Sequence, residues 1–355
     1  MKIKSVKVWR EHLPLTKPYI IAYKTIVDTE IIFLELTLEN GITGIGAANP
    51  FAEVVGETPA ITLANLQHDF VQQFVGRDIL HFNKLIDESL IQFPHLPGTI
   101  AAIDIALHDA FCQTLGISVV EFYGHKTYPL PTSVTIGIKD ISAMMEEAKA
   151  NYAAGFKVVK IKTGLHVEED IERVVKLNEY FGNKLKVRVD ANQGYDILQL
   201  QHFIQKTSHL SLELIEQPMP VGWENKLATL DESHRKLLAA DESLIDTASA
   251  LKLAFAPQPY GIFNIKLMKS GGIRGAREIA LIAANAGIDL FWGCNDESMV
   301  SIAAALQVAY SCSNTKYLDL DGSFDLSKDW VTGGFILKDG FLYCSNEPGL
   351  GLKRL

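Results

Sequence analysis

Five ionisable residues recur at nearly even steps: Lys162, Asp190, Glu216, Asp241 and Lys266, separated by 28, 26, 25 and 25 residues (190 − 162, 216 − 190, 241 − 216, 266 − 241). Each closes, or nearly closes, a short apolar run such as Val158-Val159-Lys160-Ile161-Lys162 or Lys186-Val187-Arg188-Val189-Asp190. Singly, each has an ordinary explanation. Asp190 and Asp241 could cap the helices that follow them, Glu216 could begin a turn, and paired lysines could mark a frayed strand end. Separate explanations would have to coincide five times in consecutive segments, whereas one shared site accounts for all five. Three carboxylates converging on one point repel and raise one another's pKa unless a cation joins them. All-oxygen ligands favour a hard ion, Mg²⁺ first with Mn²⁺ as a substitute, and the absence of an accompanying His or Cys argues against zinc. Two amines on opposite sides of a metal that grips a carboxylate suit removal of an α-proton on one face and its return on the other.

The elements that must position these groups are legible from residue 130 onward, where apolar strands alternate with amphipathic helices. The strand candidates are Ser133–Ile138, Lys157–Lys162, Lys186–Asp190, Leu212–Glu216, Leu237–Asp241, Ile262–Leu267, Ile288–Trp292 and Lys316–Leu320. Helical patterns lie between them, including 141–154, 167–181, 273–286 and 299–312. Eight strands with seven intervening helices predict an α/β fold, a modified (β/α)7β TIM barrel whose strand ends converge on one mouth. No Gly-rich dinucleotide fingerprint supports an open doubly wound sheet. Residues 1–125 run strands first and helices second, predicting an α+β capping domain. In it, Leu15–Asp28 and Asn49–Glu57 read as connecting loops, and 58–74 and 99–115 as helices. The barrel is expected over 126–321. The tail, 322–355, contains a Lys338-Asp339-Gly340 hairpin and is expected to return to the cap and complete its sheet.

Composition narrows the partners. The chain of 355 residues carries a net charge of −9 without a Lys/Arg stripe, which excludes a nucleic-acid binder. No run reaches transmembrane length, no signal-peptide core opens the chain, and four scattered cysteines suit reduced thiols. The expectation is a cytoplasmic protein with a small-molecule partner and no membrane or nucleic acid; a homo-oligomer is compatible with the sequence.

Lys160-Ile161-Lys162, Asp190-Ala191-Asn192-Gln193, Glu216-Gln217-Pro218, Asp241-Glu242-Ser243, Asn264-Ile265-Lys266-Leu267 and Ser270-Gly271-Gly272 together resemble the muconate-lactonizing-enzyme-like subgroup of the enolase superfamily over nearly the whole chain. The resemblance implies that Asp190, Glu216 and Asp241 bind Mg²⁺, that Lys162 and Lys266 are the acid/base pair, and that Lys160 binds the substrate carboxylate. Ser270-Gly271-Gly272 could cradle a phosphate but in this family simply opens the next helix. Asp319-Leu320-Asp321 places two acids on one face, able to hold an α-ammonium group, and resembles the Asp-x-Asp pattern of dipeptide epimerases. Ser133 and, in the cap, Tyr19 and Lys24 complete the expected substrate contacts. Lys24 stands where relatives acting on Ala-Glu often have Arg, and with Ile20, Ile21 and Phe51 it points to a small or apolar second residue, as in Ala-Ala or Ala-Val. The expected reaction is epimerisation at the C-terminal residue of a dipeptide. The alternatives are L-Ala-D/L-Glu epimerisation, N-succinylamino acid racemisation, o-succinylbenzoate synthesis, a Schiff-base lyase, and a binding protein with a retired site.

Overall fold

The N-terminal unit is a three-stranded antiparallel sheet, β1 (Ile3–Ile21), β2 (Lys24–Leu38) and β3 (Thr43–Ala48), in that spatial order. The computed structural model describes the backbone of residues 1–21 and 24–355, and all of their side chains except those of residues 17, 19–21 and 24. The expected contacts from Tyr19 and Lys24 therefore lie outside the described side chains.

The expectation of a loop over 15–28 is corrected: β1 and β2 continue as one long hairpin, with Leu13 opposite Thr29, Pro14 opposite Asp28, and a register shift beyond Pro14. Pro14 and Pro18 cannot donate to a ladder, which broke the strand pattern in the sequence; β1 is an edge strand, where proline is tolerated. The loop over 49–57 likewise holds one helical turn, Ala52–Val55, closed by Gly56 at φ 72°. The helix expected over 58–74 is two, Pro59–Leu66 and Asp69–Gln72, because His68 leaves the helical conformation and its Nδ1 caps the second by accepting from Phe70 N.

The helix Pro97–Leu115 ties the cap to the rest. It lies so close on β3 that a Cβ at Gly46 would sit 1.9 Å from the Ala102 carbonyl oxygen. Gly46→Ala is therefore expected to cost about 3 kcal/mol or more, read as a lowered denaturant midpoint at unchanged slope. The carboxylate of Asp104 on this helix accepts from Ile273 N (2.7 Å) and Arg274 N (3.3 Å), at the start of the helix Gly272–Ala286. The helix start after Ser270-Gly271-Gly272 thus takes a carboxylate of this chain, which removes the phosphate reading.

The barrel follows as β4 (Ser133–Ile136), β5 (Val158–Lys162), β6 (Lys186–Asp190), β7 (Leu212–Glu216), β8 (Leu238–Ala240), β9 (Ile262–Ile265), β10 (Asp289–Trp292) and β11 (Thr315–Leu318). These strands pair in parallel in sequence order, and a bridge between Thr132 and Leu318 nearly closes the ring. Helices pack outside; Asp196 and Gln199, for example, form a reciprocal capping box on Ile197–Thr207.

The tail hairpin, Phe335–Lys338 with Phe341–Cys344, forms as expected but does not join the cap sheet. Its bonds go to the segment entering β4, with Thr132 N donating to Gly340 O and Leu342 N to Leu130 O, so it covers that end of the barrel. The last residues reach the cap instead: Leu350 N donates to Asp109 Oδ1, and Arg354 pairs with Glu35. Among the described residues, no helix is long and apolar enough to cross a membrane.

Candidate active site

Ladder register explains why three of the charges meet. Lys162 lies opposite Asp190, and Asp190 opposite Glu216, as the last residues of β5, β6 and β7. Asp241 and Lys266 each stand one residue beyond β8 and β9. Around the rim the order is Lys162, Asp190, Glu216, Asp241, Lys266: an arc of three carboxylates with an amine at each end. Since β5 and β9 are four strands apart in a ring of eight, the lysines flank the mouth from opposite sides.

The side chains are heavily paired. Lys162 Nζ donates to Asp190 Oδ2 at 2.6 Å, and Lys266 Nζ to Asp241 Oδ2 at 2.9 Å. Lys160, buried, donates to Asp319 and at 3.4 Å to Glu216 Oε2. Two residues not anticipated from sequence complete the floor. Asn264 Nδ2 donates to Glu216 Oε1 at 2.7 Å. Lys269 Nζ spends its donors on the Asp241 carboxylate, the Asp241 carbonyl oxygen (2.6 Å) and the Asn264 carbonyl oxygen (3.2 Å). Only its place one helical turn after Lys266 hinted at this.

The electrostatics show crowded acids. Burial and the Asp190 charge push the Glu216 carboxyl up to about 8. Burial would raise Asp241 too, but Lys266 and Lys269 outweigh it and hold it well below the usual carboxylate range. Burial alone would depress the Lys266 ammonium; Asp241 and Glu216 reverse this and hold it high.

Among the described residues, no three acidic, His or Cys side chains are set for joint ligation, because the carboxylates are turned onto the ammonium groups. The donor set nevertheless fits a hard divalent cation. It is all oxygen, the acids occupy three consecutive strand ends, and the buried acceptors Asn192 Oδ1 and Glu242 Oε2 beside them have no hydrogen-bond partner.

Beyond the arc, Asp319 and Asp321 follow β11. Ser133 Oγ donates to Asp319 Oδ1 at 2.5 Å and accepts from Arg188, and Thr135 N donates to Asp321 Oδ2 at 2.7 Å. Ser133 is buried and does not line the cavity, so it supports Asp319 from behind instead of facing a ligand. A cavity of about 930 Å³ joins all this to the cap, lined by Lys160, Lys162, Asp241, Lys266, Asp319 and Asp321 below. Its upper wall mixes Ile26, Val27, Phe51 and Val54 with five acids, Asp28, Glu30, Glu53, Asp296 and Asp325. Those acids come from four separate stretches of chain, so sequence spacing offered no signal for them.

Residues 3–124 match the mandelate racemase/muconate lactonizing enzyme N-terminal domain, and residues 143–354 the enolase C-terminal domain-like family. The chain therefore belongs to the enolase superfamily, in its mandelate racemase/muconate lactonizing enzyme branch, and its enzyme class is isomerase. Within that branch it falls with the dipeptide epimerases. It is 48% identical, over the full length of both chains, to an L-Lys-D/L-Arg epimerase of Desulforapulum autotrophicum. A dipeptide epimerase of Methylococcus capsulatus, solved with Mg and the dipeptide L-Arg-D-Lys, superposes with a TM-score of 0.96 at 47% identity over 99% of each chain. One from Enterococcus faecalis, solved with Mg and L-Leu-L-Tyr, gives 0.91 at 32% identity over the whole of both chains.

Proposed function

We propose that this protein epimerises dipeptides bearing cationic side chains, at the α-carbon of the C-terminal residue, by two-base proton transfer. The observation that carries the reaction is the arc in which Lys162 and Lys266 bracket Asp190, Glu216 and Asp241. In this reading the three carboxylates hold Mg²⁺, with Mn²⁺ as a substitute of the same oxygen preference. When bound, the ion neutralises the charge that builds on the substrate carboxylate as the α-proton leaves. Lys162 removes or returns the proton on one face and Lys266 on the other, so each stereoisomer uses one as base and the other as acid. Lys160 anchors the substrate carboxylate from below. Asp319 and Asp321 take the free α-ammonium, a group that N-acylated substrates lack, which disfavours the N-succinylamino acid reading.

The cavity wall supports a cationic over an apolar side chain. Apolar residues are present, but five acids share that wall, and their negative charge favours a cationic side chain over an alanine or valine. The relatives at 47–48% identity, from Desulforapulum autotrophicum and Methylococcus capsulatus, point the same way, whereas the Enterococcus faecalis enzyme solved with L-Leu-L-Tyr is only 32% identical. This reading replaces the small, apolar preference suggested by Phe51 and its neighbours. A dipeptide library in D₂O, read by mass increase, tests it: Lys- and Arg-containing dipeptides should gain deuterium fastest. Silence on dipeptides with turnover of an N-succinyl amino acid would overturn it.

A pH profile tests the ammonium clamp. Burial, then the neighbouring Asp319 charge, pushes the Asp321 carboxyl up to about 7, with Lys160 opposing. Among the described residues, the Cys294 thiol also lies against it. Below that pH Asp321 is neutral and holds an ammonium poorly, and above it the carboxylate forms. The substrate amine loses its proton near ~8. kcat/KM should therefore rise with pH through about 7 and fall above about 8, and Asp321→Asn should lower it and flatten the acid limb. An unchanged acid limb in that variant would count against the clamp.

A further inference from the structure

The cap does more than cover the cavity: it grips the barrel loops at two of the cavity's acids. Thr29 of β2, buried, donates its hydroxyl to the main-chain carbonyl oxygen of Asp296 at 3.0 Å. Thr16 of β1 donates both its N–H (2.8 Å) and its hydroxyl (3.1 Å) to the main-chain carbonyl oxygen of Asp325. Asp296 lies on the loop after β10 and Asp325 on the loop after β11. Neighbouring bonds brace each grip. Asn295 Nδ2 donates to Asn49 O at 2.9 Å beside the first, and Leu15 bridges Leu326 beside the second. A bond at an acid's own carbonyl fixes the backbone that aims its carboxylate, whereas a loop held elsewhere leaves that aim free. Simple docking of cap on barrel does not require the anchors to fall on acids that line the cavity.

We propose that Thr29 and Thr16 are positioning residues for side-chain specificity, setting Asp296 and Asp325 for a cationic group of the substrate. The proposal rests on the cationic-dipeptide reading above. Neither threonine belongs to the lysine–carboxylate arc, so the proton-transfer step is left intact when a hydroxyl is lost. The two sites should also respond unequally. Thr29→Val removes the one bond Thr29 makes to Asp296, while Thr16→Val keeps the main-chain bond to Asp325.

The test is steady-state epimerisation of L-Lys-L-Arg by the full-length Mg²⁺-loaded protein, with thermal melts recorded alongside. Thr29→Val should raise KM about five- to tenfold with kcat within about twofold of the parent. Thr16→Val should raise KM less, and Thr29→Ser, which keeps the hydroxyl, should restore the parent value. An unchanged KM, a fall confined to kcat, or a Thr29→Ser variant as impaired as Thr29→Val would overturn the proposal. Absence of L-Lys-L-Arg turnover by the unaltered protein would remove the substrate reading, and the proposal with it.

Discussion

Stripping the protein of divalent cation with a chelator is expected to abolish epimerisation, and adding Mg²⁺ back should restore it. Each of the three acids of the arc already faces a lysine, so without the ion the ammonium groups serve as internal counter-charges. Were Asp190, Glu216 and Asp241 to hold the ion, Lys162 and Lys266 would be left to the substrate. The metal-free protein should therefore stay folded yet be inactive. It should melt at a lower temperature, since Mg²⁺ at a hundred times its dissociation constant adds about 2.7 kcal/mol. Retained turnover in protein shown by elemental analysis to be metal-free would contradict the assignment.

The second large effect concerns the amines. Lys162→Ala and Lys266→Ala should each lower kcat for epimerisation by roughly 10³-fold or more, at the upper end of what a positioned acid/base supplies. Neither change removes a cation ligand, so Mg²⁺ binding by calorimetry should persist in both. Arginine should not rescue either position, because a guanidinium stays protonated and cannot act as a base. Loss of activity accompanied by loss of Mg²⁺ binding would instead make these lysines structural.

The arc was legible because barrel geometry converts even spacing into convergence: apolar runs every 25 to 28 residues ending in charge leave little freedom in where those charges go. The same rule does not reach Lys269, whose role depends on how the turn after Lys266 folds back on Asp241. The cap was less readable. Pro14 and Pro18 disguised the ends of a hairpin as loop, and with it the strand that carries Asp28 and Glu30 into the cavity. The apolar preference read from the sequence rests on Ile20, Ile21 and Phe51, whereas Asp28 and Glu30 enter the cavity only through that strand. Asp296 and Asp325 sit on loops whose placement is set by partners up to 309 residues away, a relation no local pattern carries. The tail hairpin was recognised by its turn, but which end of which unit it would cover was a matter of tertiary pairing.

Two bases on opposite sides of one carbon make a stereochemical prediction, and proton exchange in D₂O by the single-lysine variants measures it most directly. With L,L and L,D substrates supplied separately, Lys162→Ala and Lys266→Ala should each fail to interconvert them. Where exchange survives, each variant should label only one isomer, and the two variants should label opposite ones. If either variant epimerises fully, or labels both isomers alike, the two-base account is wrong.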